Sequence, residues 1–327
     1  MLKIGIIGLG SMGKNHARVC SEIDNIEIVG VADINRTIAD NIADRFDTKS
    51  YSNYSEMLPK IDAAIVATPT VYHYEIASEL LNNGKHVLVE KPICENIKNA
   101  SDLVKKAESK NLVLAVGHIE RHNPVVKFVK DNLNHGKFGE LITLTSKRVS
   151  NFPGRIKDVG VMMDLGIHDI DIMYYLAGKI NSVYARAGKF TKGIDHEDHA
   201  NIVLNFDCGI CGIVEVNWLT PMKVRKLFLT CSKNYVEADY AEQSVTISSS
   251  YFEKIDEMDL YRAPIQFNVN QVNLEKKEPL RNEIEDFVNA IIKNNKPLAS
   301  GMDGLMALRI AEAATISYKE GKEVKIE

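Results

Sequence analysis

The hydrophobic pattern divides the chain into two stretches of different character. From residue 3 to about 120, short apolar runs alternate with amphipathic segments. Runs at 3–7, 27–32, 63–67, 86–90 and 112–116 read as strands, while 14–20, 71–83 and 97–109 read as helices, the second stopped by Gly84. Near-continuous apolar strands separated by helices predict a parallel, doubly wound sheet. The pattern then changes. After a helix over 124–134, a strand over 141–149 and a helix over 169–176 ended by Gly178, strands crowd together from 182 to 247. They include 200–206, 210–216 and 225–230, and strands without intervening helices predict an antiparallel sheet. Helices over 282–293 and 303–319 follow. The predicted architecture is α/β: a doubly wound parallel-sheet domain over 1–120, then an α+β domain over 121–327 whose large, mostly antiparallel sheet has an open face. A half-apolar open face in such a sheet predicts a homo-dimer or homo-tetramer built through it.

Composition narrows the class. The 327 residues suit one large or two medium domains, and 45% hydrophobic with 26% charged residues is the balance of a soluble globular protein. The net charge of −4 and the lack of a long basic run give nucleic-acid binding no support. No apolar stretch is long enough to span a bilayer, and the N-terminus enters a strand directly, so a cytoplasmic location is expected. The five cysteines, Cys20, Cys94, Cys208, Cys211 and Cys231, are scattered and odd in number, which argues against a disulfide framework. Cys208 and Cys211 have half a zinc-knuckle spacing but fall in an expected hairpin turn without partner ligands, so no metal is expected.

The first strand leads into Gly8-Leu9-Gly10-Ser11-Met12-Gly13 and then a helix. This is G-x-G-x-x-G in its required context of strand, tight turn and helix, the fingerprint of a Rossmann dinucleotide site. Gly8 permits the turn, Gly10 lets a pyrophosphate approach the backbone at the helix N-terminus, and Gly13 allows helix and strand to pack closely. The second strand ends at Asp33, about 20 positions beyond Gly13, where an acid accepts hydrogen bonds from the adenosine ribose. Asp33 would repel a 2′-phosphate, so NAD is expected over NADP, although Arg36 is close enough in sequence to soften the preference. Later strands end at Thr68-Pro69 and at Glu90-Lys91-Pro92. Ligands of open α/β sheets bind at such C-terminal strand ends. The expected cofactor contacts are therefore Gly8, Gly10, Ser11, Met12, Gly13, Asp33, Arg36, Thr68, Pro69, His73, Glu90 and Lys91. A partly desolvated Lys91 there suits proton transfer, while a structural ion pair at a strand end is the plainer reading.

A second constellation is Asp164-Leu165-Gly166-Ile167-His168-Asp169-Ile170-Asp171. Asp164 and His168, four apart, share a face if the helix has already begun. His168 suits proton transfer at neutral pH, and a carboxylate beside it would orient it. The alternative is that Asp164 or Asp169 simply caps the helix. Arg121 and Asn123 follow the last parallel strand near the same cleft, and the stretch with Arg148, Arg155, Lys157 and Asp158 around Pro153-Gly154 offers cations to an anionic substrate group, or forms a solvated loop.

Together these motifs resemble the Gfo/Idh/MocA family of nicotinamide-dependent sugar and cyclitol oxidoreductases over nearly the whole chain. The resemblance implies substrate bound between a Rossmann domain and an open-faced α+β domain, with Lys91, Asp164 and His168 around the reacting hydroxyl. Segments 117–124, 155–161 and 217–221 are further similar to UDP-N-acetylglucosamine 3-dehydrogenases, with His122 where Phe is common. That implies oxidation of the 3-hydroxyl of a UDP-linked N-acetyl sugar, with Arg121, Asn123, Arg155 and Lys157 joining Lys91, Asp164 and His168 in binding it. A myo-inositol or free-sugar dehydrogenase is the alternative. A non-catalytic NAD-binding regulator has the same fold but no need of Lys91 and His168 together.

Overall fold

The structure, a computed structural model, describes residues 1–154, 159–252 and 265–326. The chain forms two compact units, Met1–His122 with Lys277–Arg309 and Asn123–Lys276 with Ile310–Glu327.

The first unit holds six strands: β1 (Leu2–Ile7), β2 (Ile26–Ala32), β3 (Lys49–Tyr51), β4 (Ala63–Val66), β5 (His86–Val89) and β6 (Leu114–Val116). Their order is β3-β2-β1-β4-β5-β6, and every pair is parallel. The strands are short and apolar because helices cover them: Ile4, Ile6, Ala63, Ile65 and Leu88 have almost no exposed surface. Helices α1 (Ser11–Ser21), α2 (Arg36–Arg45), α3 (His73–Asn82) and α4 (Ile97–Ser109) make the crossovers. Chain order reverses between β1 and β4, so the switch point lies beyond Ile7 and Val66.

In the second unit, α5 (Pro124–Asn134) is followed by β7 (Leu141–Asn151), α6 (Ile167–Ala177), β8 (Ile180–Gly188), β9 (His199–Phe206) and β10 (Cys211–Asn217). Then come β11 (Leu219–Cys231), β12 (Tyr235–Asp239), β13 (Ser244–Phe252) and β14 (Ile265–Asn273). After these the chain returns to the first unit with α7 (Pro279–Lys293). Its apolar stripe, Leu280, Ile284, Phe287 and Val288, joins the core formed by Ile4, Ile6 and Val19. A single boundary near residue 120 therefore does not describe how 277–309 packs. Helix α8 (Gly301–Glu320) runs from the first unit into the second, which ends in β15 (Val324–Lys325).

The second sheet has nine strands ordered β14-β13-β12-β11-β7-β10-β9-β8-β15. All pairs are antiparallel except β7 with β10. Alternate residues of β10, Gly212, Val214 and Val216, are buried, while Ile213 on the opposite face is 40% exposed. The expected hairpin at Cys208 joins β9 to β10, with Cys208 exposed and Cys211 half-buried.

Candidate active site

The cofactor cradle is built by β1 and α1. Gly8 has φ +85°, and a Cβ there would lie 2.7 Å from the Thr68 nitrogen, so only glycine makes this turn beside the end of β4. Gly10 precedes α1, has no side-chain cap, and a Cβ on it would meet nothing within 4 Å among the described residues. The first-turn N–H groups of α1 and the open space beside Gly10 are what a pyrophosphate requires, so the residues present fit a dinucleotide. Ser11 is exposed and Met12 half-buried at the same turn. Asp33 ties the cradle to β2: its Oδ2 accepts from Leu9 N–H at 2.7 Å and its Oδ1 from Asn35 N–H at 2.8 Å. Arg36 points its Nε at Asp40 Oδ1, 2.9 Å away.

Beyond β4 and β5 the strand ends are braced by one imidazole. His73 is buried, with Nε2 2.9 Å from Thr68 O and Nδ1 2.9 Å from Pro92 O. Burial lowers its pKa, against the pull of those carbonyls and Glu90. Its role in the fold is to hold the Thr68 and Pro92 segments at one spacing. Thr68 keeps a buried hydroxyl with no partner among the described residues, and Pro69 is exposed. Glu90 Oε1 lies 2.9 Å from His16 Nε2, and Glu90 Oε2 accepts from Lys91 N–H at 3.2 Å. Burial alone would raise the Glu90 carboxyl, but His16, Lys91 and His73 hold it below its ordinary value. Lys91 is half-buried at this strand end.

The sequence motifs did not point to His16 or Glu283. Glu283 on α7 is buried, and neither of its carboxyl oxygens has a partner among the described residues. Burial, then Glu90, then Asp286 push its carboxyl well above the ordinary value, which favours the neutral acid. The one available signal was a charged residue on the apolar stripe of the helix.

Arg121 and His122 belong to this same unit. Arg121 is buried, with Nη1 3.1 Å from Asp303 Oδ1 and 2.9 Å from Leu298 O. His122 is also buried, and that burial, with Arg121 and His118 nearby, pushes its pKa down to about 3. The imidazole is therefore neutral.

In the second unit, Asn123 caps α5, accepting from Val125 N–H at 3.3 Å and donating to Tyr240 O at 3.1 Å. Arg148 is not on a solvated loop: it is buried on β7, with Nε 2.6 Å from Asp169 Oδ2. Arg155, Lys157 and Asp158 lie outside the described residues. The helix carrying Asp164 and His168 begins earlier than its hydrophobic pattern suggests. Residue 161 opens it, Met162–Gly166 form a π turn, and α6 continues to Ala177. Asp164 and Asp169 are therefore inside the helical run, and neither is its cap. Asp164 and His168 are both half-buried. π turns are rare and concentrate at functional sites.

Among the described residues, no group of three or more His, Cys, Asp or Glu side chains is placed to hold a metal ion. No helix among them is long and apolar enough to cross a membrane.

Comparison with known proteins places this arrangement. Residues 2–118 match the model of an oxidoreductase family with an NAD-binding Rossmann fold, and residues 126–237 match the GFO/IDH/MocA C-terminal domain. A UDP-N-acetylglucosamine 3-dehydrogenase from Acidithiobacillus ferrooxidans is 28% identical over 95% of each chain. A solved structure of that enzyme superposes with a TM-score of 0.87 at 26% identity, covering 98% of both chains. A myo-inositol 2-dehydrogenase from Thermotoga maritima is 25% identical over 100% of this chain and 99% of its own. The chain belongs to the Gfo/Idh/MocA family and is a nicotinamide-dependent dehydrogenase that acts on CH–OH groups.

Proposed function

We propose that this dehydrogenase uses NAD to oxidise a secondary hydroxyl of a sugar, most specifically the 3-hydroxyl of UDP-N-acetylglucosamine or a related UDP-sugar. The observation that carries the substrate is the similarity to a UDP-N-acetylglucosamine 3-dehydrogenase over 95% of both chains. The myo-inositol 2-dehydrogenase matched over the whole chain supports a second reading, oxidation of a cyclitol or free sugar.

A nicotinamide cofactor held at the Gly8–Gly13 cradle would supply the hydride acceptor, and the protein supplies position and proton handling. Lys91, at the C-terminal end of β5, hydrogen-bonds the reacting oxygen and eases loss of its proton. His168 takes that proton or passes it on. Asp164 holds a substrate hydroxyl or orients His168. NAD is favoured over NADP because Asp33 puts a carboxylate beside the cradle and Arg36 is engaged by Asp40.

The test is turnover of UDP-N-acetylglucosamine, myo-inositol and free sugars with NAD and with NADP. Turnover of myo-inositol without turnover of any UDP-sugar would reject the leading substrate, and a preference for NADP would reject the role given to Asp33. Lys91→Ala should lower kcat about 10²–10⁴-fold at saturating cofactor while leaving NAD binding intact. Near-normal turnover in that variant would remove Lys91 from the chemistry.

A further inference from the structure

The helix that carries Asp164 and His168 lacks a cap of its own. Val159 and Gly160 precede it, and among the described residues no side chain at its start accepts a hydrogen bond from its first turn. Those N–H groups still need partners. Met163 and Asp164 turn back to Gly160 O, at 3.2 and 3.0 Å. The other two are met from a different part of the chain. Val161 N–H donates to Glu197 O at 3.0 Å, and Met162 N–H donates to Glu197 Oε1 at 3.2 Å. Glu197 lies two residues before β9. Its carboxylate occupies the space above Gly160: a Cβ there would be 2.0 Å from Oε1 and 2.1 Å from Cδ. A negative group at this end also suits the positive pole of the helix.

The anchor is itself fixed. Asp198 is fully buried, and its carboxylate accepts from Phe190 N–H at 3.0 Å and Thr191 N–H at 2.6 Å and lies 2.8 Å from His199 Nδ1. Its main chain donates to Gly188 O at 3.0 Å and accepts from Trp218 N–H at 2.9 Å. Glu197 therefore reaches the helix from a segment bonded on its far side to two others, the 188–191 stretch and Trp218.

We propose that Glu197 is a positioning residue for Asp164, capping the helix from outside so that the π turn between residues 162 and 166 is kept. A π turn holds one residue more than an α turn. If the N-terminal end were released, expelling that residue would rotate Asp164 by about 100° around the axis relative to His168. Pinning the N–H groups of Val161 and Met162 blocks that slip. The proposal rests on the reading that Asp164 holds a substrate hydroxyl.

The experiment measures kcat and KM at saturating NAD for whichever sugar is turned over, with melting temperature and NAD affinity as folding controls. Glu197→Gln keeps the acceptor and should stay within about twofold of wild type, whereas Glu197→Asp is too short to reach Met162 and should raise KM about tenfold. Gly160→Ala displaces the carboxylate without altering it and should raise KM similarly, giving a second route if Glu197→Asp does not fold. A purely structural role would lower the active fraction, and hence kcat, at unchanged KM. In an Asp164→Asn background Glu197→Asp should add nothing, because both changes act through one group. An impaired Asp164→Asn beside a wild-type KM in both Glu197→Asp and Gly160→Ala would overturn the proposal alone, as would full additivity. Wild-type kinetics in Asp164→Asn would overturn the underlying reading of Asp164, and the proposal with it.

Discussion

At the scale of single residues, the side chains that shape the strand-end chemistry were only partly visible in the sequence. Glu90 and Lys91 announce themselves because two charges end an apolar strand. His16 does not, since a histidine in an amphipathic helix is unremarkable until it is found 2.9 Å from Glu90. Glu283 is more telling, because burial, Glu90 and Asp286 hold its carboxyl well above the ordinary value of 4.5. The sign of its effect on stability follows from proton counting. The unfolded chain releases this proton above about pH 4.5, while the folded chain keeps it to higher pH. The folded state thus binds more protons in that window, and its stability falls as pH rises until the folded carboxyl ionises too. Glu283→Gln is neutral at every pH and close to isosteric, so it should flatten this slope. Thermal unfolding at pH 5 and pH 8 should show the variant losing less stability than wild type across that interval and melting higher at pH 8. Parallel curves would mean that Glu283 is ionised in the fold. Arg121, Asn123 and Arg148 mark the limit of sequence reading at this scale. Arg121 and Asn123 were expected to meet substrate and Arg148 an anionic group, and each is engaged inside its own unit, with Asp303, Tyr240 and Asp169.

At the scale of elements, period and punctuation carried most of the first unit. Apolar runs closed by Gly or Pro located the strands, and the glycine loop fixed the direction of α1. What period could not give was tertiary assignment. The stripe of α7 has the same spacing whichever sheet it covers, and only packing reveals that Phe287 and Val288 belong to the core around Ile4 and Ile6. The π turn escaped for a related reason: the N–H of Met162 at its start is met by Glu197, 35 residues away in sequence, and no local pattern encodes that. The glycine loop also permits a prediction that separates packing from binding. A Cβ on Gly13 would lie 1.8 Å from Gly8 O, a backbone atom that cannot step aside, whereas a Cβ on Gly10 meets nothing within 4 Å among the described residues. Gly13→Ala should therefore cost about 1–3 kcal/mol of stability by overpacking. Gly10→Ala should leave the melting temperature nearly unchanged and weaken NAD binding instead, because its methyl group enters the phosphate cradle. Differential scanning calorimetry with NAD titration distinguishes them, and equal melting temperatures for the two variants would contradict the packing account.

At the scale of the whole molecule, the second sheet poses the remaining physical question. One face is buried in its own unit, with Leu144, Val214, Val216, Leu227 and Leu229 almost wholly covered. The other face carries Ile213, Tyr235, Phe267 and Val269, each between 40% and 69% exposed. Register puts these on one side: Tyr235 pairs with Ser248 and Ser248 with Val269, while Phe228, stacked on Tyr235, pairs with Thr145 and Thr145 with Ile213. Ion pairs such as Lys147–Glu215 interrupt the apolar surface without covering it. A broad apolar patch edged by charge is what an isologous interface requires, since each copy offers the same surface to the other. A second copy of this chain is therefore the expected cover, and light scattering at micromolar concentration should give a mass of at least two chains. Ile213→Lys with Tyr235→Lys would place two like charges from each copy in the contact while altering only exposed positions. The expected result is a monomer whose melting temperature, no longer supported by association, becomes independent of protein concentration. A wild-type monomer, or a double variant of unchanged mass, would show that this face serves another purpose.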